Sequence, residues 1–326
     1  MNQWAGVQDP SAGSQAAAPS QPELSSRLLD CKVCGDELRP HLPAVRDSQT
    51  GDVFSILKCR RCGLGHTVPL PSDMSKYYRD YHGGRRAFAD WYCTGRRIRL
   101  LHKLVGVSRG RRLLDIGCGE GTFLLAAKAE GWSVMGTETN PAAARRAGLE
   151  VHEELADARA LAPFDCITLW HSLEHIPDPR AILREARGML SPSGVLIVAV
   201  PDAGGLQASL FKENWLHLEV PRHACHYTID SLLSLMRSEK FIPIREWHQE
   251  FEYDLLGWSQ SALNWVQNPP NLFFNLLRGR KPAAGRLRLG ATWLAGCLLT
   301  ALAVFLVPLG TLARRGGTLI IAGRPG

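Results

Sequence analysis

From residue 111 onward, short apolar runs alternate with stretches in which apolar residues recur every three or four positions, the pattern of parallel strands joined by crossover helices. The runs predict strands at 111–116, 133–138, 149–152, 166–169 and 195–200, with helices between them at 121–130, 141–147 and 178–190. Pro179 falls near the start of the last helix, where its missing N–H goes unused. Thr228 supplies an N-cap for a further helix reaching 240, followed by a sixth strand at 241–246 and a final one at 318–322. The prediction is an α/β chain with a Rossmann-like, doubly wound, seven-stranded sheet.

The flanking segments depart from this pattern. Residues 1–26 hold Ser, Ala, Gln, Pro and Gly with few large apolar groups, too little to offset ordering entropy, and predict a disordered tail. A cysteine-bearing module occupies 27–82, and the basic, partly apolar stretch at 85–107 predicts a helix over the sheet domain, which is assigned to 83–250 plus 315–326. Residues 251–314 are a hydrophobic helical insertion before the last strand.

Within the insertion, 289–313 carry no charge. As a helix rising 1.5 Å per residue they would span about 37 Å, against a hydrocarbon core of about 30 Å. A soluble helix this apolar would need burial on all sides. Basic residues lie on both flanks: Arg278, Arg280, Lys281, Arg286 and Arg288 before, Arg314 and Arg315 after. Both ends therefore belong on the cytosolic side, as the return of the chain to the sheet also demands. Pro308 and Gly310 are placed to break the helix, and 255–277, with Trp258, Trp265, Phe273 and Phe274, is amphipathic. A monotopic or re-entrant membrane attachment is expected.

The chain of 326 residues is 45% hydrophobic and 21% charged, the composition of a folded protein. Its formal charge of +7 permits attraction to anionic lipid, nucleic acid or an acidic substrate without choosing among them. The nine cysteines are odd in number, no secretory apolar region precedes them, and the first 26 residues lack arginine. These features argue against disulfides and a mitochondrial presequence, and for a reducing cytoplasm.

The first predicted strand ends in Asp115 and runs into Gly117, Gly119 and Gly121, a strand-to-helix turn that lets a ligand approach the backbone. Taken alone, such a pattern equally describes a structural turn. Glu138 ends the second strand 23 residues after Asp115, where a carboxylate can accept from both hydroxyls of a ribose. Cys118 and Glu120 between the glycines suit a pyrophosphate poorly, which disfavours a dinucleotide.

With Leu-Leu-Asp-Ile-Gly-Cys-Gly-Glu-Gly at 113–121, Gly-Thr-Glu at 136–138, the run at 164–169, Trp-His-Ser-Leu-Glu-His-Ile-Pro-Asp-Pro at 170–179 and Ser-Gly-Val at 193–195, the chain resembles class I S-adenosylmethionine-dependent methyltransferases. The likeness spans about 28–250 and the last ten residues, and its catalytic half is similar to quinone-biosynthesis O-methyltransferases. The resemblance implies that Asp115, Gly117 and Gly119 contact the cofactor and that Glu138 holds its ribose. The adenine contact falls to Asp157, although Glu-Glu-Leu-Ala-Asp at 153–157 departs from the usual Gly-Asp. Trp170 completes the cofactor set.

The segment after the fourth strand lies above the sulfonium in that fold, so His171, Glu174 and His175 are the nearest groups for substrate chemistry. A histidine can take the proton that O-methylation displaces. Equally, Glu174 and His175 could fix the loop into the helix at Asp178. Pro221-Arg222-His223, with His226 and Tyr227, forms a second polar cluster in a region that reads as a lid after Trp215 and His217. Similar methyltransferases carry a Pro-Arg-His close to the acceptor pocket, so the resemblance implies that Arg222 and His223 border it, Arg222 pairing either with an acidic or phosphorylated acceptor or with a carboxylate such as Glu219. The Asn-Pro-Pro of base-nitrogen methylating enzymes is missing after the fourth strand, and Asn268-Pro269-Pro270 reads as a turn between helices.

Cys31-x2-Cys34 and Cys59-x2-Cys62, each pair followed by glycine, can set four thiolates tetrahedrally around a closed, structural Zn²⁺. The continuation through His66 to Tyr81 resembles zinc ribbons that precede a subgroup of these methyltransferases. Its aromatic and basic residues are not interleaved as a stacking platform, which argues against nucleic acid. The leading expectation is a cytosol-facing, membrane-associated O-methyltransferase acting on a small-molecule or lipid-linked acceptor. The alternatives are a sugar or natural-product methyltransferase and a non-catalytic zinc-ribbon adaptor.

Overall fold

The computed structural model describes residues 30–78, 87–106, 110–280, 282 and 284–326; the tail at 1–26, Tyr81 and Arg85 lie outside these. The cysteine module contributes β1 (Leu38–Arg46), β2 (Val53–Cys59) and β3 (Gly65–Val68), and leads through α1 (Ser75–Tyr78) to α2 (Ala87–Val105). The β-α units follow as β4 (Arg112–Ile116), α3 (Thr122–Ala129), β5 (Ser133–Thr137), α4 (Ala142–Arg146), β6 (Val151–His152), α5 (Leu155–Ala158), β7 (Phe164–Trp170), α6 (Pro179–Met189) and β8 (Leu190–Pro201).

After β8 come α7 (Leu206–Phe211), the two-residue β9 (Cys225–His226), α8 (Ile229–Ser238) and β10 (Phe241–Trp247). The insertion consists of α9 (Phe251–Val266), α10 (Leu272–Leu277) and α11 (Arg286–Leu312), and β11 (Thr318–Pro325) closes the chain. The main sheet has seven strands in the order β10-β11-β8-β7-β4-β5-β6. From β8 through β6 the strands are parallel, and β11 runs antiparallel between β8 and β10.

The apolar runs read as strands because both faces of this sheet are covered. Leu113, Leu114, Ile167, Leu169, Val198 and Val200 are fully buried. Strand ends extend past the apolar run wherever a neighbour offers hydrogen bonds: β11 continues to Pro325 because Phe241 to Pro243 pair with its last residues. The predicted cap at Thr228 is present, as a reciprocal capping box with Ser231, and Asp178 caps its helix by accepting from Ala181 N, with Pro179 in the first turn as expected.

A second, antiparallel sheet has the order β1-β2-β3-β9. Its outer strand β9 comes from the segment between α7 and α8, so Gly65 and His66 of the cysteine module pair with His226 and Cys225. The module is thereby stitched to the domain at its histidine-rich loop.

The turn at Asn268–Pro270 does separate two helices, α9 and α10. Helix α11, in contrast, does not break at Pro308 or Gly310. Pro308 stands one turn from the helix end and forfeits a single backbone hydrogen bond there, and the helix instead stops before Arg314, whose φ of +56° leaves the helical region. One face of α11, with Thr292, Gly296, Ala303, Val307 and Gly310, is buried on its neighbours. Gly296 is required there, since a Cβ would lie 2.3 Å from the Phe273 ring. The other face leaves Leu294, Leu298, Leu302, Phe305, Leu309 and Leu312 exposed. At 27 residues, α11 is the one helix among the described residues long and apolar enough to cross a membrane.

Candidate functional site

The carboxyl ends of β4, β7 and β8 meet at one cavity, where an open parallel sheet binds its ligand. Asp115, Gly117, Cys118, Gly119, Trp170, His171, Glu174, His175 and His223 all line it. The turn after β4 needs its glycines for two different reasons. At Gly117, with φ +76°, a Cβ would lie 2.6 Å from Ser172 Cβ. At Gly119, with φ +56°, a Cβ would meet no atom within 4 Å, so the bare backbone faces open space.

Glu138 follows β5 directly and receives the Gly119 N–H at 2.9 Å, with the Thr139 hydroxyl donating to its other oxygen at 2.9 Å. Asp115 is buried and accepts from Thr168 Oγ1 at 2.6 Å. Burial pushes its carboxyl up to about 7 despite that bond. Trp170 packs edge-on to Phe123 with centroids 5.6 Å apart, lies beneath the Arg97 guanidinium at 4.8 Å, and keeps a buried Nε1–H without a partner. An open glycine turn and an unsatisfied indole donor suit a polar ligand such as S-adenosylmethionine. Asp157, by contrast, is exposed on α5 and is not among the lining residues.

In the same cavity, His171 adopts φ +52°, a conformation rare outside glycine and often held in place at functional sites. Its ring stacks on Tyr253 with centroids 4.2 Å apart, Nδ1 is 3.6 Å from Glu174, and Nε2 is hydrogen-bonded to Glu250. Glu250 has a fully buried side chain and also meets Arg96 and Arg97, the latter at 3.1 Å. Burial disfavours the imidazolium, but Glu250 and Glu174 outweigh it and raise His171 to about 9. Burial would also raise Glu250, yet Arg97 and His171 hold it well below the usual carboxylate range. His171 is therefore a cation at neutral pH and not a base.

His175 Nδ1 lies 3.0 Å from the Arg222 carbonyl oxygen, and His223 Nδ1 lies 2.9 Å from that of His217. A carbonyl only accepts, so each ring carries a proton on Nδ1. Burial drives His223 well below the usual histidine range, so it is neutral. Arg222 is buried against Asp47 at 3.1 Å, the Tyr77 carbonyl at 3.2 Å and Glu219 at 3.5 Å, and is not among the cavity's lining residues. Of its two readings the structure selects the anchor, since its charge is already matched by two carboxylates.

The four cysteines converge as the spacing predicts. Their Sγ atoms lie within 4.8 Å of one another, with Cys31 to Cys62 at 3.5 Å and Cys34 to Cys59 at 3.4 Å. Thiolates about 2.3 Å from a tetrahedral zinc would stand about 3.8 Å apart, so the cluster can hold such an ion.

Arg97, Glu250 and Tyr253 have no motif, and the sequence reading passed over them. The only signal was a carboxylate at the boundary between the sixth predicted strand and the insertion. Replacing Glu250 with Gln should cost about 3–5 kcal/mol, because it strands buried cations. His171, raised from 6.5 to about 9, contributes stability fully present below pH 6.5 and lost as pH rises through 9. The denaturation gap between the native protein and E250Q should accordingly narrow over that window. A gap independent of pH there would contradict a charged His171.

Residues 86–241 match the family model of a methyltransferase domain. Over that stretch the chain carries a methyltransferase domain. Among its curated relatives is the ubiquinone biosynthesis O-methyltransferase of Bordetella avium (strain 197N), 34% identical over 111 residues, covering 30% of this chain and 46% of the relative. The enzyme of the same name from Cereibacter sphaeroides (strain KD131 / KCTC 12085) is 28% identical over 170 residues, covering 47% of this chain and 69% of its own length. The chain thus spans less than half of the Bordetella relative. A crystal structure of a SAM-dependent methyltransferase from Archaeoglobus fulgidus aligns with 72% of this chain and 94% of its own at 16% identity and a TM-score of 0.45. In residues 86–241 of this chain, the glycine turn and the histidines line a single cavity.

Proposed function

We propose that this methyltransferase domain transfers the methyl group of S-adenosylmethionine to an oxygen of a small or lipid-borne acceptor, working at a membrane surface. The observation that carries this reading is the shared cavity: the Gly117–Gly119 turn and the side chains of His175 and His223 line the same space. In this reading Asp115, Gly117, Gly119, Glu138 and Trp170 hold the cofactor, with Asp157 a peripheral candidate for adenine. The cofactor brings an activated methyl, and the protein supplies proximity, orientation and relief of the hydroxyl proton. The O-methyltransferase names of the relatives support an oxygen acceptor.

The proposed zinc at Cys31, Cys34, Cys59 and Cys62 is structural, since four thiolates close its coordination. Incubating the protein with methyl-labelled S-adenosylmethionine and lipid or metabolite extracts should yield an acceptor heavier by one methyl group. Failure to bind the cofactor at all would refute the reading.

Membrane attachment rests on α11, which packs one face on the protein and bares a leucine- and phenylalanine-rich stripe on the other, with Arg286, Arg288, Arg314 and Arg315 at its ends. Both ends lead back to one folded body, which suits a helix lying in the interface rather than a single crossing. Changing Leu298 and Phe305 together to Glu removes two large apolar groups and adds two negative charges. Sedimentation with anionic vesicles should then fall at least tenfold, whereas unchanged sedimentation would place the membrane contact elsewhere or nowhere.

A further inference from the structure

The segment from Trp215 to His223 faces two cavities. His217, Glu219 and His223 line the one already described, while Leu216, Leu218, Glu219, Val220 and Arg222 line a second, of about 350 Å³. The other walls of the second are Asp47 and Ser48, just past β1, and the stretch from Asn264 to Asn271 that joins α9 to α10. Its volume falls within the about 300–1,000 Å³ of small-molecule sites. Glu219 is common to both cavities, so a molecule filling the second touches a residue of the first.

This second cavity is held in shape. Asn264 Nδ2 donates to the Asn214 carbonyl at 3.2 Å and to Asn271 Oδ1 at 2.9 Å, and Asn264 Oδ1 accepts from the Asn271 N–H at 2.8 Å. On the other side Asp47 and the Tyr77 carbonyl hold Arg222. Glu219 and Asn271 both take left-handed φ, +41° and +61°, an angle costly for Glu219 in particular and one that persists where the surroundings impose it.

The lining selects the chemistry of an occupant. The buried guanidinium of Arg222 is already matched by Asp47 and Glu219, so an anionic ligand gains little there. Ser48, Glu213, Gln267 and Asn268 add hydroxyl, carboxylate and carboxamide groups, and Val45 with Leu218 adds apolar surface. A hydroxyl donates and accepts, as a carboxamide does, whereas an ammonium only donates and a hydrocarbon chain does neither. A pyranose combines a rim of hydroxyls with C–H faces and so can use both kinds of wall. We propose that the second cavity binds a sugar unit of the acceptor, with Glu219 accepting from a sugar hydroxyl where it borders both cavities. That the sugar belongs to the methyl acceptor rests on the methyl-transfer reading, while the sugar site itself does not.

The test is saturation-transfer NMR of the full chain with the methyl glycosides of glucose, galactose, mannose, rhamnose and N-acetylglucosamine. At least one should bind saturably through its ring protons. Glu219→Gln keeps the size and loses the charge, and should weaken binding about tenfold, the worth of a hydrogen bond to a charged acceptor. Ser48→Trp fills the cavity from a half-buried turn position and should abolish binding. S-adenosylmethionine titration of the same samples reports whether the fold and the donor site are intact. Binding of none of these glycosides to a protein that binds the cofactor would overturn the site, as would undiminished binding in either variant. The methyl-labelled product from the extracts should release a sugar on acid hydrolysis, having partitioned into organic solvent if the sugar is lipid-borne and into water if it is free. A labelled product without a sugar, made by a protein that binds glycosides, would overturn the acceptor class alone. Glycoside binding by a protein that fails to bind the cofactor would refute the methyl-transfer reading and leave the sugar site standing.

Discussion

Replacing Glu138 with Ala is expected to weaken S-adenosylmethionine binding by about 10²–10³-fold. A hydrogen bond to a charged carboxylate contributes about 1.5–3 kcal/mol, and two ribose hydroxyls would share this one, for a combined loss of about 3–4 kcal/mol. Glu138 has a further task visible without the cofactor, since its Oε2 holds the Gly119 N–H at 2.9 Å and with it the shape of the glycine turn. Gln in its place keeps an acceptor for that N–H while losing the charge, so E138Q should bind more tightly than E138A and more weakly than the native protein. Calorimetric titration measures all three. An affinity for E138A within about threefold of native would mean that the ribose lies elsewhere.

The interior of the domain was legible in the sequence because its signals are local. Strands buried on both faces must be apolar throughout, and the glycines at 117 and 119 are forced by backbone angles that other residues resist. Thr228 announced its helix because a side-chain acceptor at a helix start has one dominant use, and Pro179 announced another because its missing N–H goes unused in a first turn. The cysteine spacing predicted convergence for a similar reason, as knuckles have few geometries.

What escaped the reading depends on contacts between distant segments. β9 is two residues long and exists only because β3 offers it hydrogen bonds from some 160 positions away. Glu250 looks like an unremarkable surface carboxylate until α2 brings Arg96 and Arg97, and the loop after β7 brings His171. The choice between the two parts open to Arg222 was undecidable for the same reason, since Asp47 lies in the cysteine module. Pro308 misled because a proline near a helix end forfeits little, and hydropathy alone does not reveal that Gly310, beyond it, is still buried.

The second large effect is expected from the cysteine cluster. In small zinc modules the metal contributes about 10–16 kcal/mol of apparent folding free energy, comparable with the whole stability of a typical domain at about 5–15 kcal/mol. Cys59→Ser, or treatment with a strong chelator, should therefore unfold the β1-β2-β3-β9 sheet, detectable as loss of strand signal together with release of one zinc equivalent.

The consequence should reach the cavity by an identifiable route. Thr67 Oγ1 of β3 donates to the His223 carbonyl at 2.6 Å and meets His226 Nε2 at 2.9 Å, and Asp47 holds the Arg222 side chain. Once β3 and Asp47 are lost, His175 and His223 lose the scaffolding that aims them, while the glycine turn keeps its own supports in β4 and β5. Methyl transfer should then fall by more than 10²-fold with cofactor affinity reduced far less. Equal loss of both would indicate that the module supports the entire domain, and preserved transfer after zinc release would show that the histidine wall stands without it. The asymmetric outcome would show instead that the cysteine module is the structural half of the acceptor site rather than an appendage to the catalytic domain.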